Sequence, residues 1–141
     1  MSTQPGAKFS LVVLSTLVIA ALVGTFAFAE GTFAGPPPYD KKTEVTLKGS
    51  IQEVKKVQAP NGVEGTHLML KDGKQVVEVF VGPSAFITRQ GAAFGKDEAI
   101  EVIGSKLQVA GAPALLARQI KKGGKTFEFR DEQGSPLWAR Q

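Results

Sequence analysis

The chain of 141 residues contains no cysteine and only one histidine, His67. Without cysteine the protein cannot form disulfides, thiolate nucleophiles, iron–sulfur ligation, cysteine zinc sites or a covalent c-type haem attachment. A single histidine also leaves Ser84 and Ser105 without the partner that a serine triad needs, and it makes His67 a weak metal candidate on its own. We therefore expect neither an enzyme nor a bound cofactor.

Charge is absent from residues 9–29, which form one uninterrupted apolar run. The small residues Ala27 and Ala29 before Glu30 match a signal-peptidase site, whereas the length of the run matches the ~20 residues that span a bilayer. Residues 1–29 are therefore predicted to be a signal peptide or an N-terminal membrane anchor, and both alternatives stay open. Either one predicts a periplasmic protein, soluble after cleavage or tethered to the inner membrane through residues 9–29.

Residues 30–42 are rich in proline and glycine and are predicted to be a linker, with Pro36, Pro37 and Pro38 as an extended spacer. Residues 43–141 are then predicted to form one domain. Of the 17 basic residues only one precedes Glu30, and all 13 acidic residues lie at or after it, so the exported part has a net charge of +3. This mild excess, spread along the chain, does not indicate binding of nucleic acid.

Period-two alternation predicts strands throughout residues 43–141. Val45, Leu47 and Ile51 share one face of a first strand, and the apolar parity then shifts, which predicts a bulge near Gln52 or Glu53. Two further strands follow, over residues 66–72 and 74–82, joined by a tight turn at residues 72–73.

A short helix is predicted over residues 83–91, with Phe86 and Ile87 at one end of the core. A strand that changes parity near Gly104 comes next, then a strand over residues 114–121 and a last short one over 126–131. The order of three strands, helix and further strands is typical of the OB-fold. We therefore expect an all-β protein with one short helix, an OB-fold-like Greek-key barrel of five to six strands behind an N-terminal apolar helix.

Two segments carry a resemblance to known proteins. Residues 33–54, FAGPPPYDKKTEVTLKGSIQEV, resemble the start of the bacterial periplasmic OB-fold family. The later part of the chain is similar to related small exported OB-fold domains that end in a Gly-x-Pro-Leu-Trp tail. The resemblance implies a non-enzymatic envelope protein with a binding or stress-associated role.

Basic residues gather near the last two strands beside the single tryptophan. We predict a partner-binding surface from these residues: Arg118, Lys121, Lys122, Lys125, Arg130 and Trp138. Such a surface suits an envelope protein or an anionic ligand. The alternative for Trp138 is a cap over the open end of the barrel.

The function predicted from the sequence is an exported, non-enzymatic binding module of the cell envelope. The alternative is a periplasmic carrier of a small ligand, metal or haem that uses His67.

Overall fold

The computed structural model describes residues 38–140 of the chain. Its strands and helix follow one another in this order: β1 (Glu44–Gln58), β2 (Glu64–Asp72), β3 (Gln75–Pro83), α1 (Ser84–Arg89), β4 (Ala99–Val109), β5 (Ala112–Lys122) and β6 (Lys125–Glu128). Short 3-10 turns lie at Lys41–Thr43 and Leu137–Arg140. The predicted signal or anchor and most of the predicted linker lie outside the described residues.

Five strands form a closed barrel. The order is β3-β2-β1-β4-β5, and a parallel pairing of β3 with β5 closes it, while β6 extends β5 on its other side. The helix α1 connects β3 to β4, as in an OB-fold. The sequence-based prediction of a mainly β, OB-fold-like barrel with one short helix is therefore confirmed. Between residues 38 and 140, no helix has the length and apolarity that a membrane span requires.

The first strand bends so that it serves two neighbours. Its first half pairs with β4 and its second half with β2, and the register with β2 shifts between Ile51 and Glu53. This is the predicted bulge. Gly49 lies at the bend, where a Cβ atom would clash with the carbonyl of Lys71. Only glycine allows the two backbones to come so close.

A second irregularity lies between β4 and β5, at the predicted change of parity. Ile103 pairs with Gln119 but Gly104 pairs with Ala117, which leaves Arg118 as the extra residue of a bulge. The carbonyl of Arg118 accepts hydrogen bonds from the backbone of Phe129 at 2.8 Å and Arg130 at 3.2 Å. The bulge therefore orients Arg118 and holds the residues after β6 against β5.

Buried side chains from all five barrel strands, α1 and the segment after β6 form one hydrophobic core. Its largest fully buried side chains are Phe129, Ile51, Leu68, Leu70, Leu115, Leu116 and Ile120. Phe86 and Ile87 of α1 are each 5% exposed, so the helix closes one end of the core as predicted. Phe86 contacts the rings of Phe129 and Trp138 edge-on, at centroid distances of 6.4 and 5.9 Å.

Candidate functional site

His67 lies on the outer face of β2, with 18% of its side chain exposed. Its Nδ1 is 2.9 Å from a carboxylate oxygen of Glu78, and its ring lies 4.3 Å from that of Phe80. Within residues 38–140, no three His, Asp or Glu side chains are grouped so that they could hold a metal ion. These contacts account for His67 without a ligand, and the carrier function remains a prediction that none of them favours.

The structure divides the predicted partner surface into two parts. Lys121, Lys122 and Lys125 lie together around the β5–β6 turn. Arg118 instead pairs with Glu44, and Arg130 packs against the rings of Tyr39 and Trp138. These residues were predicted to form one surface because they are close along the chain. The bulge in β5 instead directs Arg118 towards Glu44, and the segment after β6 places Arg130 beside Tyr39 and Trp138.

Arg118 forms a bidentate ion pair with Glu44 of β1. Its Nε and Nη2 donate to the two carboxylate oxygens at 3.0 and 3.1 Å, and the Tyr39 hydroxyl donates to the same carboxylate at 2.5 Å. The hydrogen bonds from Arg118, opposed by burial and aided by Tyr39, lower the pKa of Glu44 to about 2. Burial, with the Glu44 carboxylate beside it, raises the pKa of Tyr39 to about 12. The ion pair thus holds Arg118 against β1, with 15% of its side chain exposed.

Arg130 is buried, with 9% of its surface exposed. Its Nη1 donates to the carbonyl of Gly134 at 3.0 Å. The guanidinium carbon lies 5.1 Å from the Trp138 ring centroid and 6.0 Å from that of Tyr39. Burial lowers the pKa of Arg130.

Trp138 is half-buried against the core and lies on the backbone of Gly82, where a Cβ would come within 2.8 Å of the indole. This position matches the alternative in which Trp138 caps the end of the barrel.

A fourth lysine, Lys48, lies beside Lys121 in the structure, although the sequence did not predict it as part of this surface. Lys48 of β1 pairs in register with Glu101 of β4, which pairs with Lys121 of β5. Both ammonium groups lie 3.6 Å from Glu101. We call Lys48, Lys121, Lys122 and Lys125 the lysine patch. Outward parity marks Lys48 in the sequence, but only the strand register brings it beside Lys121.

Three members of the lysine patch, Lys48, Lys121 and Lys122, line an open depression of about 520 Å³. Gly123 and Gly124 form one wall, in left-handed conformations with φ of 55° and 79°. Lys122 donates to the carbonyl of Ala93 at 2.5 Å and lies 2.7 Å from Glu98. The hydrogen bond from Lys122 is the main cause of a lowered pKa at Glu98. Four lysines against two glutamates leave an excess of positive charge.

A family model matches most of the barrel. Residues 43–127 match the MamS/MamX magnetosome protein family. This range contains β1 to β5, the lysine patch and the start of β6.

One relative is the magnetosome protein MamS of Paramagnetospirillum magneticum (strain ATCC 700264 / AMB-1). It is 24% identical over 106 residues, which cover 74% of this chain. The aligned part spans 59% of the length of that protein.

A solved structure with a limited similarity to this chain is the mitochondrial single-stranded DNA-binding protein Rim1 of S. cerevisiae. The identity is 10% and the TM-score 0.41, over 64% of this chain and 96% of the other. At this level of similarity the ligand of Rim1 is not transferred to this chain.

The family match corrects one prediction from the sequence. The resemblance to the bacterial periplasmic OB-fold family and its relatives with a Gly-x-Pro-Leu-Trp tail is wrong as a family assignment. The segments behind it encode a bent first strand and a cap over the barrel end, which are features of the fold and do not distinguish one family from another. Because the family model matches residues 43–127, more than half of the sequence, the chain belongs to the MamS/MamX magnetosome protein family.

Proposed function

We propose that this chain is a non-enzymatic binding module of the magnetosome and that its lysine patch binds an acidic partner protein. Membership of the MamS/MamX magnetosome protein family and the similarity to the magnetosome protein MamS support the association with magnetosomes. The lysine patch is the observation that carries the binding role. The stress-associated role came only from the resemblance that the family match replaces, so it is not part of the proposal.

The ion pairs of Lys48 and Lys121 are weak enough to exchange. The side chains of Lys48 and Lys121 are 77% and 49% exposed, and they share one carboxylate, that of Glu101. Exposed pairs of this kind contribute about 0–1 kcal/mol each. Carboxylates of a partner can therefore replace Glu101 at little cost, and the association would weaken as salt increases.

The depression gives the partner a shape to bind as well as a charge. Gly49, Gly123 and Gly124 expose backbone along its walls, while Lys48 and Lys121 stand at its edge. An acidic side chain inserted there would lie between the ammonium groups of Lys48 and Lys121. This arrangement suits a protein segment with several carboxylates better than a flat surface does.

The proposed location is the periplasmic side of a membrane or the periplasm itself, as predicted from residues 9–29. The apolar run supports export, and the prolines of residues 30–42 support a spacer between a retained anchor and the barrel.

Charge reversal tests the proposal. The triple variant Lys121→Glu, Lys122→Glu, Lys125→Glu should lose a partner that the tagged full-length chain recovers from cells, at low salt and with cross-linking. The matched control reverses three exposed lysines outside the patch: Lys71, Lys74 and Lys106. Recovery lost in the first variant and kept in the control supports the proposal. Equal recovery of the same partner by both variants would overturn it.

A further inference from the structure

Arg130 is a buried cation with no carboxylate beside it in the described part of the chain. Among residues 38–140, Arg118 and Arg140 each have an acidic partner within 4.0 Å, and Arg130 has none. Its Nε is buried and has no acceptor in this part of the chain. A buried charge is costly unless it is paired, and a buried donor without an acceptor adds to the cost.

The ion pair of Arg118 shows which edge of a guanidinium group can bind a carboxylate. In Arg118, the edge formed by Nε and Nη2 binds both oxygens of the Glu44 carboxylate. In Arg130, Nη1 donates to the Gly134 carbonyl, and Nε is buried without an acceptor among the described residues. Among residues 38–140, Nη2 forms no hydrogen bond to another side chain or to the backbone. This edge has the geometry that binds carboxylate and phosphate groups through two parallel hydrogen bonds.

The surroundings hold this edge in place. The rings of Trp138 and Tyr39 lie within 6.0 Å of the guanidinium carbon, which restricts the movement of the side chain. The Tyr39 ring itself rests on Gly134, where a Cβ atom would overlap with the ring. Aromatic faces favour a cation and exclude water, so a charged hydrogen bond made here is stronger than one at the surface.

We propose that Arg130 binds a small oxyanion group, a carboxylate or a phosphate, beside Trp138 and Tyr39. The two acceptor oxygens of the ligand would bind Nε and Nη2, as Glu44 binds Arg118. The site is separate from the lysine patch, because its donors come from the segment after β6 and its walls from the two ends of the described chain. Loss of binding at the lysine patch would therefore leave oxyanion binding at Arg130 unchanged, and the reverse also applies.

The only tryptophan of the chain provides the signal for a test. The fluorescence of Trp138 in the full-length chain is followed during titration with sodium acetate and, separately, sodium phosphate. Sodium chloride keeps the ionic strength constant. We expect a saturable change with at least one of the two anions, and the anion that gives it identifies the oxyanion. A change that sodium chloride alone reproduces, or no saturable change with either anion, would overturn the proposal.

Substitutions at Arg130 test whether the change in Trp138 fluorescence comes from binding at this residue. Arg130→Lys keeps the charge but loses the two-donor edge, and it should weaken binding by roughly tenfold or more. Arg130→Met should abolish it, with thermal unfolding as the check that the variant is folded. Arg89→Met is the matched control, since Arg89 is exposed and lies 5.9 Å from the neighbouring Phe86 ring.

The triple variant Lys121→Glu, Lys122→Glu, Lys125→Glu, here called the lysine-patch variant, gives a further control. Its fluorescence should respond to the anion as that of the wild type does. Unchanged binding in Arg130→Lys, or a response lost in the lysine-patch variant instead, would show that Arg130 is only a structural cation.

Discussion

The ion pair between Glu44 and Arg118 predicts a loss of stability in acid. The pKa of Glu44 falls from 4.5 to about 2 in the folded chain. A group whose pKa is lowered by folding stabilises the protein above its unfolded pKa, and this contribution is lost as the pH falls towards the folded value. The window for Glu44 therefore runs from about pH 4.5 down to about pH 2.

The size of the effect follows from the same values. Each tenfold change in the acid constant is worth about 1.4 kcal/mol, so the lowered pKa corresponds to about 3 kcal/mol at most. The Glu44 side chain is 20% exposed and that of Arg118 is 15% exposed, so solvent screens part of this energy. We expect a contribution of about 1–2 kcal/mol to the free energy of unfolding at neutral pH.

The assay is urea unfolding of the full-length chain, followed through Trp138 fluorescence at about pH 7 and again at about pH 2.5. Glu44→Gln should be less stable than the wild type at neutral pH, and the difference should largely disappear in acid. The control is Glu53→Gln, which removes an exposed carboxylate from the same strand. A difference between wild type and Glu44→Gln that stays constant across this range would refute the reasoning.

Two further substitutions test the packing around the barrel end. Gly134→Ala should destabilise the chain by about 1–3 kcal/mol, because Gly134 has a φ of 88° and the Tyr39 ring leaves no room for a Cβ. Gly111→Ala is its control, with a φ of 77° but nothing within 4 Å, and an equal loss in both would contradict a role for Tyr39. Phe129→Ala should cost about 3–5 kcal/mol in urea unfolding, since Phe129 is fully buried. The half-buried Phe127 should cost less on the same change, and the reverse order would contradict the packing.

Local patterns were enough to predict the strands and the bulge in the first of them. The change of parity after Ile51 predicted the first bulge. The change near Gly104 predicted a bend in β4, and the structure has a bulge opposite it, with Arg118 of β5 as the extra residue. Both predictions rest on the two-residue repeat of a strand. The helix over Ser84–Arg89 followed from Pro83 and Gly91 at its two ends.

The candidate sites could not be assembled in the same way. Glu44 and Arg118 are 74 residues apart in the chain, so no local pattern joins them. The sequence predicted a bend near Gly104 but not the bulge at Arg118 that points this side chain towards Glu44, and it does not say which strand lies opposite. For the same reason Lys48 was missed as a neighbour of Lys121. Side chains that meet across a barrel depend on register, which only the closed structure fixes.

The parallel seam between β3 and β5 has a consequence for how the barrel forms. Only three residue pairs join these strands, from Glu78 with Ala114 to Phe80 with Leu116. The other barrel pairings connect β1, β2 and β3 as a meander, and β1 with β4 and β4 with β5. Contacts between strands close in sequence form fastest, whereas joining distant segments costs loop entropy first. We expect the seam to close late in folding, after the meander and the β4–β5 hairpin have each acquired their own contacts.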